Sequence, residues 1–482
     1  MEFKLWFLGF IWGILMIAQD LNTYYVYILL LVTSINKINC SNFLDYYTLF
    51  AFIDTIVSGV CYPISGWLTD WTAKKSGLVF LISNVLQLIF IILQIVPYIL
   101  NSMGVASDFM SVNGWIIMCV FWQLAQAISI QNENSLWKLI KQIVDNYDTQ
   151  YHDINSLYDV NILGKDKEKS LQMINNIGNI GDLVSDTLET ILLGILILII
   201  TILNGGYEFI LIYTCSIITI LNAIVCIMSI VVLKYKTSHV NIESIFDEEN
   251  KNVRSTINPI KWFVNSVKQF YNKKVAFHAF WHCIVLGIYA TIVQYPLSLK
   301  EVNIISVQGN QTLDNLCGGI LTNLMMIGAI TNACYLMGSI CYRIFVVNAK
   351  PSRFYKWYYP IGAIVLMAMT SALWFNMNKI LTFTLISFAT IIPYYLTYYD
   401  YYLFTEECND ESYGFIMGSY GGITTVITAL IQSLYFANAS FGIILGSSIV
   451  LLLISLCYSY YLTYIINKND GIVLEEHRLL IE

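Results

Sequence analysis

The chain has 482 residues, of which 57% are hydrophobic and only 12% are charged, and its formal net charge is −7. A soluble domain carries about a quarter charged residues, and the apolar residues here come in blocks near the bilayer-spanning length of about 20 residues. The composition therefore excludes an ordinary soluble protein and predicts a membrane protein with many spans. Because the Lys and Arg residues are spread over many loops, no nucleic-acid partner is expected.

The apolar blocks predict an all-α protein with twelve membrane-spanning helices. Two long polar stretches interrupt them, at 132–175 and 234–275, and the second divides the chain into six spans and six more. We predict an N-terminal six-helix bundle over 1–233, a cytoplasmic central loop over 234–275, a C-terminal six-helix bundle over 276–466, and a cytoplasmic tail over 467–482. The predicted spans cover residues 5–33, 45–65, 78–100, 113–131, 183–203, 208–233, 277–297, 315–346, 357–376, 380–404, 413–435 and 440–465.

The charges in the loops predict the orientation of these spans. With both termini in the cytoplasm, all of the 25 Lys and Arg residues fall on the cytoplasmic side except Lys37, Lys300 and Lys379, as the positive-inside rule requires. Three glycosylation sequons then all fall in external connections. They begin at Asn39, Asn310 and Asn438.

The connection between predicted spans two and three is the polar sequence SGWLTDWTAKKSG, residues 65–77. Any tight turn on the inner side of a membrane needs glycine and polar residues, so an ordinary turn is one interpretation. Gly66-x-x-x-Asp70 followed by basic residues also resembles the signature of the major facilitator superfamily at this connection, with Trp71 where that family has Arg. The resemblance implies two six-helix halves that rock during transport. It also implies that Asp70 caps a helix and pairs with a basic residue at the inner gate.

Asp20 lies within the first predicted span, in AQDLNTYYVY. Ionisable side chains inside a membrane are costly and mark functional sites. One interpretation is a carboxylate that faces a central cavity as a metal ligand or proton carrier. The alternative is that the span begins later and Asp20 caps it.

Three acidic residues enter predicted span five, in GNIGDLVSDTLETILLG. Asp182, Asp186 and Glu189 are spaced i, i+4, i+7 and share one helical face. Like charges at this spacing repel one another, so a basic partner, a cation or water must offset them. These residues are candidates for the gate or the cavity. A solvated inner helix end, favoured by the helix dipole, is the alternative.

Predicted span seven opens with AFHAFWHCIVLG. His278 and His282 are spaced i, i+4, which can place two imidazoles on one metal ion, and the thiol of Cys283 is adjacent. Interfacial histidines without a ligand role are the alternative. Asp400, near the inner end of predicted span ten, is a further candidate for the gate or for substrate contact.

Several stretches together are similar to ferroportin, the iron-exporting branch of the major facilitator superfamily. The similarity lies in the order and spacing of GWLTDWTAK, SLQMINNIGNIGDLVSDTLETILLG, IVLG with CGGILTNLMMIGAIT, and YYDYYLFTEECNDESYGFIMG. It implies a metal site in which Asp20 is the matching carboxylate. Three positions depart from the family's other ligands, and they are Tyr24, Ala290 and Ile431.

The same resemblance implies that Asp400 is an acidic gate residue and that Asn222 is a polar cavity residue. Because three family ligands are missing, we hypothesise a relocated soft metal site. Its ligands would be His278, His282 and Cys283, with Asp20 opposite.

The favoured prediction is export of a divalent metal ion such as Fe²⁺ by alternating access. The alternative is transport of a small organic solute, and a receptor without transport is a third reading. No P-loop, HExxH or GxSxG motif is present, so we expect no enzyme and no resident cofactor, and a monomer whose partners are its substrate and the lipid bilayer. An organic solute could contact the tyrosines of predicted span ten, which are Tyr394, Tyr395, Tyr398, Tyr399, Tyr401 and Tyr402.

Overall fold

A computed structural model of the chain describes residues 6–19, 21, 43–102, 112–155, 161–203, 207–239, 258–289, 332–374, 392, 395–407, 412–436 and 441–481. The candidate ligand Asp20 lies outside these residues. The three predicted glycosylation sites, Asn39, Asn310 and Asn438, also lie outside them.

The described segments are helical apart from short turns, and they contain no β-strand. A 3-10 turn, Ala73–Lys75, joins the second helix to the third, and a π-helical turn, Phe354–Tyr358, leads into the tenth. The helices are α1 (Trp6–Gln19), α2 (Phe43–Trp71), α3 (Ser76–Ser102), α4 (Val112–Asn155), α5 (Asn161–Leu203), α6 (Tyr207–His239), α7 (Pro259–Asn272), α8 (Lys274–Tyr289), α9 (332–345), α10 (Tyr359–Trp374), α11 (395–407), α12 (Tyr413–Phe436) and α13 (Phe441–Ile481).

Three of the described helices contain stretches long and apolar enough to cross a membrane: Ser76–Val96 in α3, Tyr213–Val232 in α6 and Gly446–Lys468 in α13. Helices α1 and α8 are apolar but shorter within the described residues. The protein is therefore an integral membrane protein. Helices carry the crossing because unpaired backbone amides are not tolerated in lipid.

Helices α4 and α5 are much longer than the spans predicted from the sequence. They contain 44 and 43 residues, or about 65 Å each, against a hydrocarbon core of about 30 Å. Most of the polar stretch predicted at 132–175 thus continues these two helices. The reason is packing, because Leu136, Trp137 and Ile140 are buried against neighbouring helices.

Helices α2 and α12 bring the two halves of the chain together through small residues. A methyl group on Gly66 would overlap the carbonyl oxygen of Gly414, and one on Gly418 would lie 2.7 Å from the carbonyl oxygen of Tyr62. One on Gly421 would overlap the ring of Tyr62. We call Gly66, Gly414, Gly418 and Gly421 the glycine seam. Close backbone approach through small residues is a common way for membrane helices to associate.

Replacing Gly66 with alanine is expected to lower the free energy of unfolding by about 1–3 kcal/mol, because the added methyl group must push α2 and α12 apart. Gly194→Ala is the matched control, since a methyl group there meets no atom of the described residues within 4 Å. Thermal unfolding of both variants in one detergent measures the difference. Equal unfolding temperatures for the two variants would contradict the close packing.

Candidate functional site

Asp70, at the end of α2, fastens the beginning of α12. Its carboxylate accepts hydrogen bonds from the backbone amides of Gly414 at 2.7 Å and Phe415 at 3.0 Å. The first amides of a helix have no acceptor within the helix, and a carboxylate there also meets the positive end of the helix dipole. Asp70 therefore caps the beginning of α12. We call it and its partners the latch, and its side of the molecule the latch end.

Two further side chains complete the latch. The ammonium of Lys138 on α4 lies 3.8 Å from Asp70, and both side chains are buried. The indole of Trp262 on α7 donates to Asp70 at 3.2 Å. Asp70 lies beyond the predicted span 45–65, and burial raises its pKa to about 6, while Lys138 and the two amides act in the opposite direction. The carboxyl group is thus mainly ionised at neutral pH.

A second set of contacts joins α5 of the N-terminal half to α9 of the C-terminal half. The Asn179 amide donates to the carbonyl oxygen of Ser339 at 2.9 Å, and the Arg343 guanidinium donates to Asn179 at 3.4 Å. The hydroxyl of Tyr342 donates to Asn175 at 3.2 Å. These three polar pairs join the two halves of the chain.

The acidic residues of α5 lie at this contact between the halves. Asp186 accepts from the Ser339 hydroxyl at 2.5 Å and from the Tyr395 hydroxyl at 3.2 Å. Asp182 and Glu189 are buried, and Asp186 is half-buried. Because α5 begins at Asn161, Asp182 is far from the helix N-terminus. The alternative of a solvated helix end therefore does not describe this face of α5.

Asp182 is the less satisfied member of this acidic pair. It lies beside Asp186, Trp12 and Tyr398. Its Oδ2 atom is buried and has no hydrogen-bond partner among the residues that the structure describes. Two neighbouring carboxylates, one with an unused oxygen, form a site that a cation or a proton would stabilise.

Tyrosines surround the acidic pair on the C-terminal side. The rings of Tyr395 and Tyr398 lie 5.5 Å apart, and that of Tyr402 lies 5.8 Å from Tyr398. A methyl group on Gly178 of α5 would overlap the Tyr402 hydroxyl, so this glycine lets the two halves approach. Of the tyrosines predicted as solute contacts, Tyr395 donates to Asp186 and Tyr398 lies beside Asp182, while Tyr394 lies outside the described residues.

His282 and Asp400 belong to a separate network inside the C-terminal half. His282 Nδ1 lies 2.7 Å from Asp400 Oδ2, and the Tyr355 hydroxyl donates to the other oxygen of Asp400. His282 Nε2 lies 3.2 Å from the carbonyl oxygen of Ser455, whose hydroxyl bonds to Tyr359. His282, Asp400 and both tyrosines are fully buried. The structure thus pairs two residues that the sequence placed in different roles.

The three proposed soft ligands do not converge in this structure. His278 Nδ1 lies 2.6 Å from the hydroxyl of Tyr458, and the Cys283 thiol donates to the carbonyl oxygen of Thr397 at 3.6 Å. Within the described residues, no group of three His, Cys, Asp or Glu side chains could hold a metal ion. Asn222 is buried and donates to the carbonyl oxygen of Ile218 in its own helix at 2.8 Å.

Four residues that shape these sites were not predicted from the sequence. Lys138 and Trp262 fell in stretches interpreted as loops, and Ser339 and Tyr355 had no charge to attract attention. Lys138 offered one signal, because it lies in SLWKLIKQI, where apolar residues continue the helical pattern of α4. The partners of the other three become visible only in the folded chain.

No protein-family model and no curated protein matches the amino-acid sequence. Solved structures do match it over nearly its whole length. A bacterial homologue of the iron transporter ferroportin in the outward-facing state gives a TM-score of 0.60 at 13% identity, covering 96% of this chain and 99% of that one. The structure of a bacterial homologue in the same state with soaked iron gives 0.55 at 12% identity, covering 95% and 98%.

A proton:xylose symporter of the major facilitator superfamily, bound to 6-bromo-6-deoxy-D-glucose, gives a TM-score of 0.51 at 10% identity, covering 95% of each chain. The chain has the major facilitator fold. The predicted architecture of twelve spanning helices in two groups of six is confirmed at the level of the fold. Among the described residues, α7 is a helix additional to this fold, between the two groups.

Replacing Asp400 with alanine is expected to lower the free energy of unfolding by about 3 kcal/mol or more, because His282 and Tyr355 both lose a buried partner. Removing His282 as well should cost much less than the sum of the two single changes. His278→Ala is the control, since this histidine is only half-buried. Denaturant unfolding of the four variants measures the coupling, and additive effects would contradict the network.

Proposed function

We propose that the protein is a secondary transporter that works by alternating access and that it moves a divalent metal ion, Fe²⁺ in the first instance, out of the cytoplasm. The acidic pair, buried Asp182 and half-buried Asp186, carries this proposal because it lies where the two halves meet. An ionisable pair inside a membrane bundle is costly, and a transported cation would offset that cost.

The contacts between the halves support a conformation that is closed at one end. The latch, the glycine seam and the contacts of α5 with α9 all join the N-terminal half to the C-terminal half. The charge distribution predicts that the latch end is cytoplasmic, so a conformation in which the halves are joined there would be outward-facing. Rocking of the two halves would break these contacts and open a path to the cytoplasm.

The chemistry of the acidic pair favours a hard cation. Carboxylate and hydroxyl oxygens, here from Asp182, Asp186, Ser339 and Tyr395, suit hard divalent ions such as Mn²⁺, and Fe²⁺ is proposed on the ferroportin resemblance. We propose Asp20 as a further ligand, in keeping with the ferroportin resemblance. His278, His282 and Cys283 would have to leave their present partners to bind metal, so we place the ion at the carboxylates.

A small organic solute is the second candidate substrate. The observation that favours it is the group of tyrosines beside the acidic pair, because aromatic rings stack on organic molecules and attract organic cations. Tyr395, Tyr398 and Tyr402 would then provide the contacts. The two candidates differ in which ligand should raise the unfolding temperature of the purified protein, a divalent metal ion or an organic solute.

A pair of introduced cysteines should crosslink α2 to α12. The Cβ position of Gly59 lies 3.9 Å from Cβ of Thr425, within the range of roughly 3.5–4.5 Å that a disulfide spans. In a Cys61→Ser background, Gly59→Cys with Thr425→Cys should crosslink on oxidation and stop Fe²⁺ flux into or out of proteoliposomes. Reduction should restore the flux.

Each single cysteine variant is the control for this experiment. Cleavage at a protease site inserted in the central loop reveals the crosslink, because the two halves then stay joined only when the disulfide is present. A complete crosslink that leaves the flux unchanged would contradict alternating access.

Metal ions should raise the thermal stability of the purified protein. Stabilisation by a ligand that binds only the folded state grows with concentration, to about 2.7 kcal/mol at 100 times Kd. We expect a selective response within a series of Fe²⁺, Mn²⁺, Co²⁺ and Zn²⁺, and its loss in Asp182→Asn with Asp186→Asn. Thr187→Ala, on the exposed side of α5, is the control. A response to organic solutes alone would favour the second candidate.

A further inference from the structure

Helix α7 has three distinct faces. At about 100° per residue, Trp262, Ser266 and Phe270 lie on one side, and these residues pack against the protein. A second side carries only polar, exposed residues, which are Lys261, Asn265, Lys268 and Asn272. The third side carries Ile260, Phe263, Val264, Val267 and Tyr271, which are all exposed apolar or aromatic residues.

The apolar side is too exposed to belong to the protein core. Ile260 is 74% exposed and Tyr271 is 68% exposed. The sequence also fixes this segment as a helix, because Pro259 is its first residue and the Asn258 side chain accepts from the amide of Ile260 at 3.0 Å. A stable helix thus presents a continuous, mainly exposed apolar stripe, which we call the α7 stripe, in which Phe263 and Tyr271 also touch the rings of Phe415 and Phe277.

The position of α7 limits what can cover this stripe. One residue, Lys273, separates it from the apolar helix α8, and the ring of Phe270 packs 5.6 Å from Phe277 and 5.2 Å from Phe280. Its other end contacts Phe415, at the start of α12. Because α8 and α12 are predicted spans that both begin here, α7 lies at the level of the membrane surface.

The charges around α7 fit an anionic lipid surface. Residues 258–289 contain four lysines and no Asp or Glu. Lys261 and Lys268 are exposed on the polar side, next to the α7 stripe. A helix that combines an apolar stripe with an adjacent basic side is typical of one lying in the interface of a bilayer, and each lysine near an anionic leaflet adds about 1 kcal/mol of attraction.

The protein-facing side of α7 reaches the latch. The Trp262 indole donates to Asp70, the residue that caps α12. The rings of Trp262 and Phe263 lie 5.7 Å and 5.4 Å from that of Phe415, whose amide is one of the two that Asp70 holds. Any force that seats α7 on the membrane therefore also holds Trp262 against Asp70.

We propose that the α7 stripe binds the lipid of the inner leaflet and that this binding stabilises the closed latch. Lipid is thus a regulatory partner of the gate, whatever substrate the protein carries. Seating of α7 favours the conformation in which α2 and α12 are joined, and release of α7 removes one donor from Asp70 and the aromatic cover from Phe415.

Hydrogen exchange of the full-length protein in nanodiscs tests this proposal, because the amides of Gly414 and Phe415 are protected by Asp70 only while the latch is closed. Val264→Glu with Val267→Glu disrupts the α7 stripe, and Asn265→Glu with Asn272→Glu makes the same charge change on the polar side. In the first variant we expect exchange of α7 and of both latch amides to be about tenfold faster, equivalent to about 1.4 kcal/mol. In nanodiscs of phosphatidylcholine alone, where the lysines of the polar side meet no anionic lipid, the second should differ little from the unchanged protein.

Two further comparisons keep the outcome interpretable. Unchanged exchange over Ser76–Val96 in α3 shows that a variant is folded, and Trp262→Phe should speed exchange at the latch amides while α7 itself stays protected. Equal effects of the two glutamate variants, or latch amides that ignore loss of the α7 stripe, would overturn the proposal. Protection of α7 that does not rise when phosphatidylserine is added to phosphatidylcholine would overturn the role of Lys261 and Lys268.

Discussion

The hydrogen bonds between the Asp70 carboxylate and the first amides of α12 are the contact on which the association of α2 with α12 depends. Those amides have no acceptor in their own helix, and a buried carboxylate is unfavourable unless donors and a positive charge surround it. The carboxylate thus supplies the acceptor that the amides lack, and the amides supply donors to the buried carboxylate. Lys138 and Trp262 add the remaining charge and donor. The glycine seam is needed for the same contact, because side chains at these positions would keep α2 and α12 too far apart for Asp70 to reach the amides of α12.

The C-terminal half and the contact between the two halves differ in how their buried polar groups are hydrogen-bonded. In the C-terminal half, His282 and Asp400 have partners on several sides, which is typical of a network that fixes one packing of helices. In the contact between the halves, Asp182 keeps an unused oxygen beside a second carboxylate. A fully bonded network resists change, whereas an incompletely bonded pair gains when an ion or proton arrives. The difference suggests a rigid C-terminal frame and a responsive site on α5.

The sequence predicted the features that depend on local pattern. The eleventh predicted span, 413–435, corresponds to helix Tyr413–Phe436. The shared face of Asp182, Asp186 and Glu189 follows directly from their spacing. Features that depend on distant residues were not predictable. The pairing of His282 with Asp400 joins positions 118 residues apart, and α4 extends past its predicted end because tertiary packing buries polar residues that local composition assigns to a loop.

The great length of α5 has a mechanical consequence. Asp182 lies near the middle of this helix, and Asn161, at its start, is about 30 Å away along the axis. A rigid rod amplifies motion with distance from its pivot. A small tilt of α5 that hardly moves the side chains of the acidic pair would therefore move the N-terminal end of the helix by several ångströms. A restraint on that end would in turn exert a torque on the helix at the acidic pair.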